Sequence, residues 1–376
     1  MRKRTLLRIS LALPVFTCAA ACGPGIDTSG CGSGPLFTVP LISASSLSGI
    51  VPLGGLNPPG HVFPTNHIYF YPTETGGFGV STPVVSPGNI TITQVVNSAG
   101  DSGFAADYTI SFTSCLPVTG TFGHVATLSA SLLARLPSFS SGQCTSGTEG
   151  NTNFQYCTLS GLSVALGPGD SIGTAGGVNH AFALDFGLFD SRVAAANFIS
   201  PGLLPDPKED SRAVCAVDYF DATDASAFSA LFGNFSGTQH RTAQPVCGTY
   251  AQDLAGTVQG KWFFPGAPNL PDNPHLALVH DDVDPSQGAF SVGSSLTGAT
   301  SAVYEFTPAS SGQTRRDFGQ VTADGNVYCY DSFGSSSIVF ILQLVNASTL
   351  RIEQQSAASC GAGPWSFTAN HVDYQR

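Results

Sequence analysis

The heptapeptide HVFPTNH, His61 to His67, holds two of the chain's eight histidines, directly before the strand-like run IYFYP. Imidazole is the commonest metal ligand and a proton carrier near neutral pH. Two readings of the pair stand open: ligands of a metal, or polar ends of a buried strand. Elsewhere the chemistry-bearing groups are sparser. His275 and His280 in HLALVHDDVDP lie an odd number of residues apart. On a strand they point to opposite faces and do not share a metal. Asp281, Asp282 and Asp284 lack the full spacing of a calcium loop and read as a solvated turn. No C-x-x-C pair offers a thiolate zinc site, and no Walker pattern offers a phosphate cradle. The abundant serines carry no nucleophile-elbow context.

The elements that must position these residues are strands. Gly is abundant, with 43 residues, and charged residues are only 10% of the chain. Short runs rich in Val, Ile, Phe and Tyr alternate with Gly, Pro, Asn and Ser, which predicts a mostly β protein. NHIYFY, ITITQVV, ADYTISFTS, CTLSGLSVAL and HAFALDFGLFD read as strands of a first domain, residues 36–200. ATLSASLLARL breaks the pattern: Leu128, Leu132, Leu133 and Leu136 fall at helical spacing and Pro137 stops the run. SPGLLPDPKEDSR opens a linker, 201–251, with a short helix over DASAFSALF and Asp224 as its N-cap. From about Gln252 eight strand signals follow, GQVT and NVYCYD among them. They predict an antiparallel β-barrel or sandwich over 252–376, with a hairpin at Asp324-Gly325. Trp262 in GKWFF reads as core, and Arg315 with Arg316 as an exposed basic pair on a surface turn.

The first 21 residues read as a sorting signal: Arg2, Lys3, Arg4 and Arg8, then an apolar stretch ending Ala19-Ala20-Ala21. Cleavage before Cys22 resembles processing at a bacterial lipoprotein box, with Ala19 in place of the usual Leu. Residues 22–35 then form a Gly/Ser/Pro tether. The alternative is ordinary signal-peptidase cleavage at the same site. With Cys18 removed and Cys22 acylated, eight cysteines remain and can pair fully, as an oxidising compartment favours. Cys144 with Cys157, Cys215 with Cys247 and Cys329 with Cys360 are candidate local bridges, although spacing alone does not fix connectivity. Loss of residues 1–21 removes four of the 14 basic residues and none of the 25 acidic ones, leaving a net charge of −15. Such a surface repels phosphate backbones, so nucleic acid is excluded as a natural partner.

Taken in order, GHVFPTNHIYF, PVVSPGNITITQV, DYTISF, FGHVATLS and GLSVALGPGDSIGTAGGVNHAFALDFGLFD resemble the barrel of the lysostaphin-type zinc endopeptidases, the duplicated hybrid motif fold. The resemblance covers about residues 55–192, and VALGPGDSIGTAGG is its most specific part. It implies an N-terminal lysostaphin-like β-barrel/sandwich ahead of the C-terminal β domain. It also implies zinc, a peptidoglycan peptide as substrate, and hydrolysis by activated water. Carried over residue by residue, it implies His61, His67 and Asp185 as metal ligands and His124 of FGHV as a catalytic histidine. The chain departs from the family at three places. Asp185 stands where the family's strand has a histidine ligand. Ala183 stands where a second catalytic histidine belongs, with His180 three residues before it as a substitute. At the front, Thr65 stands where the family has an Asp ligand.

The sequence therefore predicts an exported protein of the cell envelope, lipid-anchored at the outer membrane or cell surface through Cys22, or secreted. Its expected activity is metallopeptidase-like. The alternatives are an inactive peptide- or glycan-binding protein on the same barrel, and a small-ligand carrier built on the C-terminal domain. Anchoring is checked by metabolic labelling with a radioactive fatty acid. Label is expected on the wild type and absent from Cys22→Ala; equal labelling of both would refute acylation at Cys22.

Overall fold

In the computed structural model the described residues are 31–100, 105–139, 143–149, 152–204, 210–334 and 337–376. The expected signal, Cys22 and the tether as far as residue 30 lie outside them. Among the described residues no helix is long and apolar enough to cross a membrane.

The chain is mostly β and forms two bodies. The first is built on an eight-stranded antiparallel sheet. Its strands are β1 (Leu47–Val51), β2 (Ile68–Pro72), β3 (Ile90–Gly100), β4 (Asp107–Cys115), β5 (Val118–Val125), β6 (Cys144–Glu149), β7 (Thr152–Leu166) and β8 (Leu184–Asp190). Their spatial order is β1-β2-β8-β5-β4-β3-β7-β6, so β8, last in sequence, lies between β2 and β5. A small sheet of Thr82–Val85, Ser171–Ala175 and Thr127–Leu128 flanks it. The alternation in IYFYP explains how β2 sits: Ile68 and Phe70 are fully buried in the core, and Tyr69 and Tyr71 face the other way. Phe186 of β8 enters the same core between Phe122 and Phe70, with ring centroids 5.2 and 6.3 Å away.

The segment 201–251, expected as a linker, carries the expected helix, Ala222–Ser229, but it is not a free connector. Ala213, Val217, Phe220, Phe228, Phe232 and Tyr250 belong to the core of the first body. The first sheet needs a cover for its apolar face, and this segment supplies it. The helix begins one turn earlier than expected. Asp221, not Asp224, accepts the backbone N–H groups of Thr223 and Asp224. The other expected helix is a single turn, Ala130–Leu133, capped by Ser129.

The second body is a sandwich. One sheet holds β9 (Gly260–Trp262), β10 (Leu276–His280), β11 (Gly288–Val292) and β12 (Ala302–Phe306). The other holds β13 (Tyr328–Tyr330), β14 (Val339–Asn346), β15 (Thr349–Gln355) and β16 (Val372–Gln375). Trp262, Leu278 and Phe290 from the first meet Tyr330, Phe340, Leu342 and Tyr374 from the second in one core. GQVT, expected as a strand, is instead a 3-10 turn at Phe318–Gln320 capped by Asp317.

All eight cysteines from Cys31 onward are paired. The three local bridges anticipated from sequence are formed, and Cys31 joins Cys115.

Phe290 is the hub of the second core, with the rings of Phe306, Phe318, Tyr330, Phe333 and Phe340 all within 5.8 Å. Phe290→Ala is expected to cost about 3–5 kcal/mol. Urea unfolding followed through the buried Trp262 measures it; a loss below about 1.5 kcal/mol would mean the cavity collapses.

Candidate functional site

The core face of the first sheet is apolar, so chemistry must sit on the opposite face. Three neighbouring strands meet there. Asp185 of β8 lies opposite Tyr69 of β2 on one side and opposite Gly123 of β5 on the other. His67 enters from the residue before β2. His124 needs a special device, because simple alternation would turn it into the core with Phe122. Between β4 and β5, Tyr108 pairs with Val125 but Ile110 pairs with Phe122, so β5 carries one extra residue. His124 takes up that bulge with a φ of 56°. Left-handed backbone at a non-glycine residue is uncommon, and bulges beside functional sites re-aim side chains. Val125 thereby returns to the core, and His124 points outward, 41% exposed.

The resulting geometry is specific. Nε2 of His67 lies 3.6 Å from Asp185 Oδ2, and Nε2 of His124 lies 3.7 Å from the same oxygen. The far nitrogen of each ring is fixed. His124 Nδ1 is 2.6 Å from Asp107 Oδ2; an ionised carboxylate only accepts, so Nδ1 donates. His67 Nδ1 is 3.0 Å from Asn66 Oδ1, and Asn66 Nδ2 donates to Asp210 Oδ1 at 2.7 Å. That last bond sets the amide orientation, so His67 Nδ1 carries the hydrogen and Nε2 presents its lone pair to Asp185.

Burial reinforces this tautomer. It drives the His67 pKa from 6.5 down to about 4, against the opposing pull of Asp185 and aided by His61 and His124. At neutral pH the ring is uncharged. Two acceptors therefore face each other across 3.6 Å with no hydrogen between them. His67 Nε2 and Asp185 Oδ1 are both buried without a hydrogen-bond partner. Each such orphan costs roughly 1–3 kcal/mol, which a cation would relieve. Tyr69 and Tyr71 are not rival ligands at neutral pH. Burial, and then Asp185, raise the Tyr69 phenol well above 10 and the Tyr71 phenol to about 12.

The floor of the site demands small residues. A methyl at Gly123 would stand 2.8 Å from Asp185 Oδ2 and 3.0 Å from its Cβ. A methyl at Gly187 would stand 2.8 Å from Thr121 Oγ1.

Of the residues singled out from sequence, the structure brings together His67, His124 and Asp185. The His61 ring adjoins them, its centroid 5.5 Å from that of His67. His180 is not drawn in. It sits in the turn after the Ser171–Ala175 strand, its backbone N–H donating to Gly177 O. Among the described residues it makes no hydrogen bond or ion pair with the cluster. Ala183 is buried and offers no proton carrier. Among the described residues no group of three or more His, Cys, Asp or Glu side chains meets the spacing of a metal site. The trio is thus an open cluster. Ligands of one tetrahedral ion at ~2.0–2.2 Å stand roughly 3.4 Å apart, slightly closer than the two contacts here.

Three functional neighbours escaped the sequence reading. Asp107 was signalled by the DYTISF strand and its hairpin partner FGHV. Asn66 lay inside the heptapeptide, and Asp210 had no signal. The spacing Gly169-x-Ser171-x-Gly173 was also passed over. Ser171 opens a strand rather than a helix, so it does not build a nucleophile elbow. His275 and His280 serve structure: His275 accepts from Phe264 N–H, and His280 pairs with Asp317 at 3.0 Å. Asp281 and Asp284 cap their own turn.

The His67 shift makes stability pH-dependent. The unfolded chain takes up a proton near pH 6.5, and the folded chain resists until about 4. Stability is therefore full above 6.5, falls as pH drops through the window, and about 3 kcal/mol is gone below 4. Urea unfolding at pH 7 and 4.5 should show a steeper loss in the wild type than in His67→Gln. Parallel losses would place the ring outside the low-dielectric site.

Compared with protein-family models, curated proteins and solved structures, the chain matches none.

Proposed function

We propose that the chain is an exported, metal-dependent hydrolase, with the site on β2, β8 and β5 acting on peptide amides of the cell wall. One observation carries the reading: two imidazole Nε2 atoms aim at one carboxylate oxygen, and their far nitrogens are tied down. Histidine ligands of metals commonly donate their second nitrogen to a carboxylate or carbonyl in this way.

In this reading His67, His124 and Asp185 hold a divalent ion of the zinc class. Their donor set, two imidazoles and one carboxylate, leaves a coordination position free. When bound, the ion would supply Lewis acidity and an acidified water. The chain's own groups do the rest. Asp107 and Asn66 hold the two rings in the tautomer that presents lone pairs inward. Gly123 leaves the Asp185 carboxylate room to face both. His61, beside the trio and without a fixed tautomer, is the imidazole left to move a proton. This exchanges the roles of His61 and His124 relative to the sequence expectation. The substrate class rests on the lysostaphin-type resemblance of 55–192. Four disulfides support export, since they persist in oxidising compartments. Acylation at Cys22 and an envelope location remain part of this proposal.

A second reading, a non-catalytic binding protein, draws on Ala183 and on the aromatic row along β2. Tyr69, Tyr71 and Phe235 follow one another at 6.3 and 5.7 Å, and Phe235 is 57% exposed. Such a row would hold a peptide or glycan without turnover. The carrier alternative gains little support. The interior of the second body is filled with side chains, and a depression of about 680 Å³ beside β12 is open and lined by Gln287, Glu305, Arg315 and Ser332.

Cobalt(II) titration, followed by its visible absorption, separates these readings. His67→Ala and Asp185→Ala should each weaken binding by at least ~100-fold, and Asn66→Ala by roughly 10–100-fold. His61→Ala should keep affinity but lose hydrolysis of a cell-wall peptide. Absence of cobalt binding by the wild type would overturn the hydrolase and favour the binding protein.

A further inference from the structure

The heptapeptide that carries His61 and His67 is not held by the first body alone. Its own body contributes two backbone clasps and one side-chain bond: Asn57 and His61 exchange N–H to O bonds in both directions, Gly54 N–H donates to Thr65 O while Thr65 N–H donates to Gly55 O, and Asn66 donates to Asp210. Further grips come from the second body. Asp272, in the loop between β9 and β10 of the second body, accepts from the backbone N–H groups of both Val62 and Phe63 at 3.0 Å through one oxygen. Asp272 is 8% exposed, and both bonds are buried. The Phe63 ring stacks on His275 at 5.3 Å with the planes 10° apart, and it packs on Phe263 at 5.1 Å. Phe63 thus forms a small apolar cluster with Phe263, Ala277 and Val279 of the second body.

Lys261 of β9 lies beneath this contact. It is buried, and its Nζ stands 5.1 Å from the Phe63 ring and 4.7 Å from the Phe198 ring. Burial lowers the Lys261 pKa, against the opposing pull of Asp253, Asp210 and Asp272. Asp272 grips the front of the heptapeptide, and Asp210 grips Asn66 near its end.

We propose that the second body is an integral part of the site and that Asp272 is a positioning residue. It sets the path of residues 61–67 so that His67 meets Asp185. The inference rests on the metal reading only for its functional consequence; the positioning itself is independent of it.

The test uses the full chain with three substitutions. Asp272→Ala removes the acceptor, Asp272→Asn restores a neutral one, and Leu350→Ala loosens the second core away from the contact. Two readouts are taken: reactivity of individual histidines toward diethylpyrocarbonate, mapped by mass spectrometry, and cobalt(II) affinity. In Asp272→Ala the His67 modification rate should rise about tenfold or more while His371 is unchanged. Cobalt affinity should fall roughly 10–100-fold, as for loss of an outer-shell partner. Asp272→Asn should recover most of both, and Leu350→Ala should leave both at wild-type values. Unchanged His67 reactivity in Asp272→Ala, or an equal rise in Leu350→Ala, would overturn the proposal. If the wild type binds no cobalt, the metal reading fails, and the reactivity data still decide the positioning role.

Discussion

A carboxylate oxygen that faces a buried, neutral imidazole lone pair is an unfavourable contact, and the strands and side chains around it hold it in place. The strand order β2-β8-β5 places Asp185 between the two histidines. Asn66 with Asp210 and Asp107 with His124 fix which nitrogen carries hydrogen. Gly123 keeps the carboxylate upright, since any side chain there would displace it. Burial removes the option of relieving the contact by protonating His67 above about pH 4. Local strain of this kind persists where the surrounding structure over-determines it, and it collects at functional sites.

The β character, the positions of most strands and three of the four disulfides were legible because they rest on local signals. Alternation sets the faces of IYFYP and LDFGLF, and short cysteine separations favour closure. What failed was non-local. The Pro-rich, charged stretch near 200–212 looks like a linker because its apolar residues are widely spaced. Yet Phe220, Phe228 and Phe232 cover the first sheet. GQVT has strand composition, but Asp317 offers its carboxylate to Gly319 N–H and turns the chain. At the site, His67 and Asp185 could be named from the resemblance. The position of His124 depends on an extra residue in β5, which no pattern of period two reveals. Asp210 and Asp272 were invisible because their partners lie more than a hundred positions away.

Asp185 stands in the middle of the cluster, and two imidazoles turn toward it. Ala183 is buried and leaves no second proton carrier on β8. The heptapeptide side of the cluster is the part that the second body grips.

The disulfides have a bearing on how the molecule is made. Three lie within the first body and one within the second, and none joins the two. Each body can therefore complete its covalent pairing as soon as its own stretch has emerged, without waiting for a distant thiol. The union of the halves rests on noncovalent contacts alone, of which the Asp272 clasp is one. Docking of the halves, and with it the Asp272 grip on residues 61–67, therefore needs none of the described disulfides.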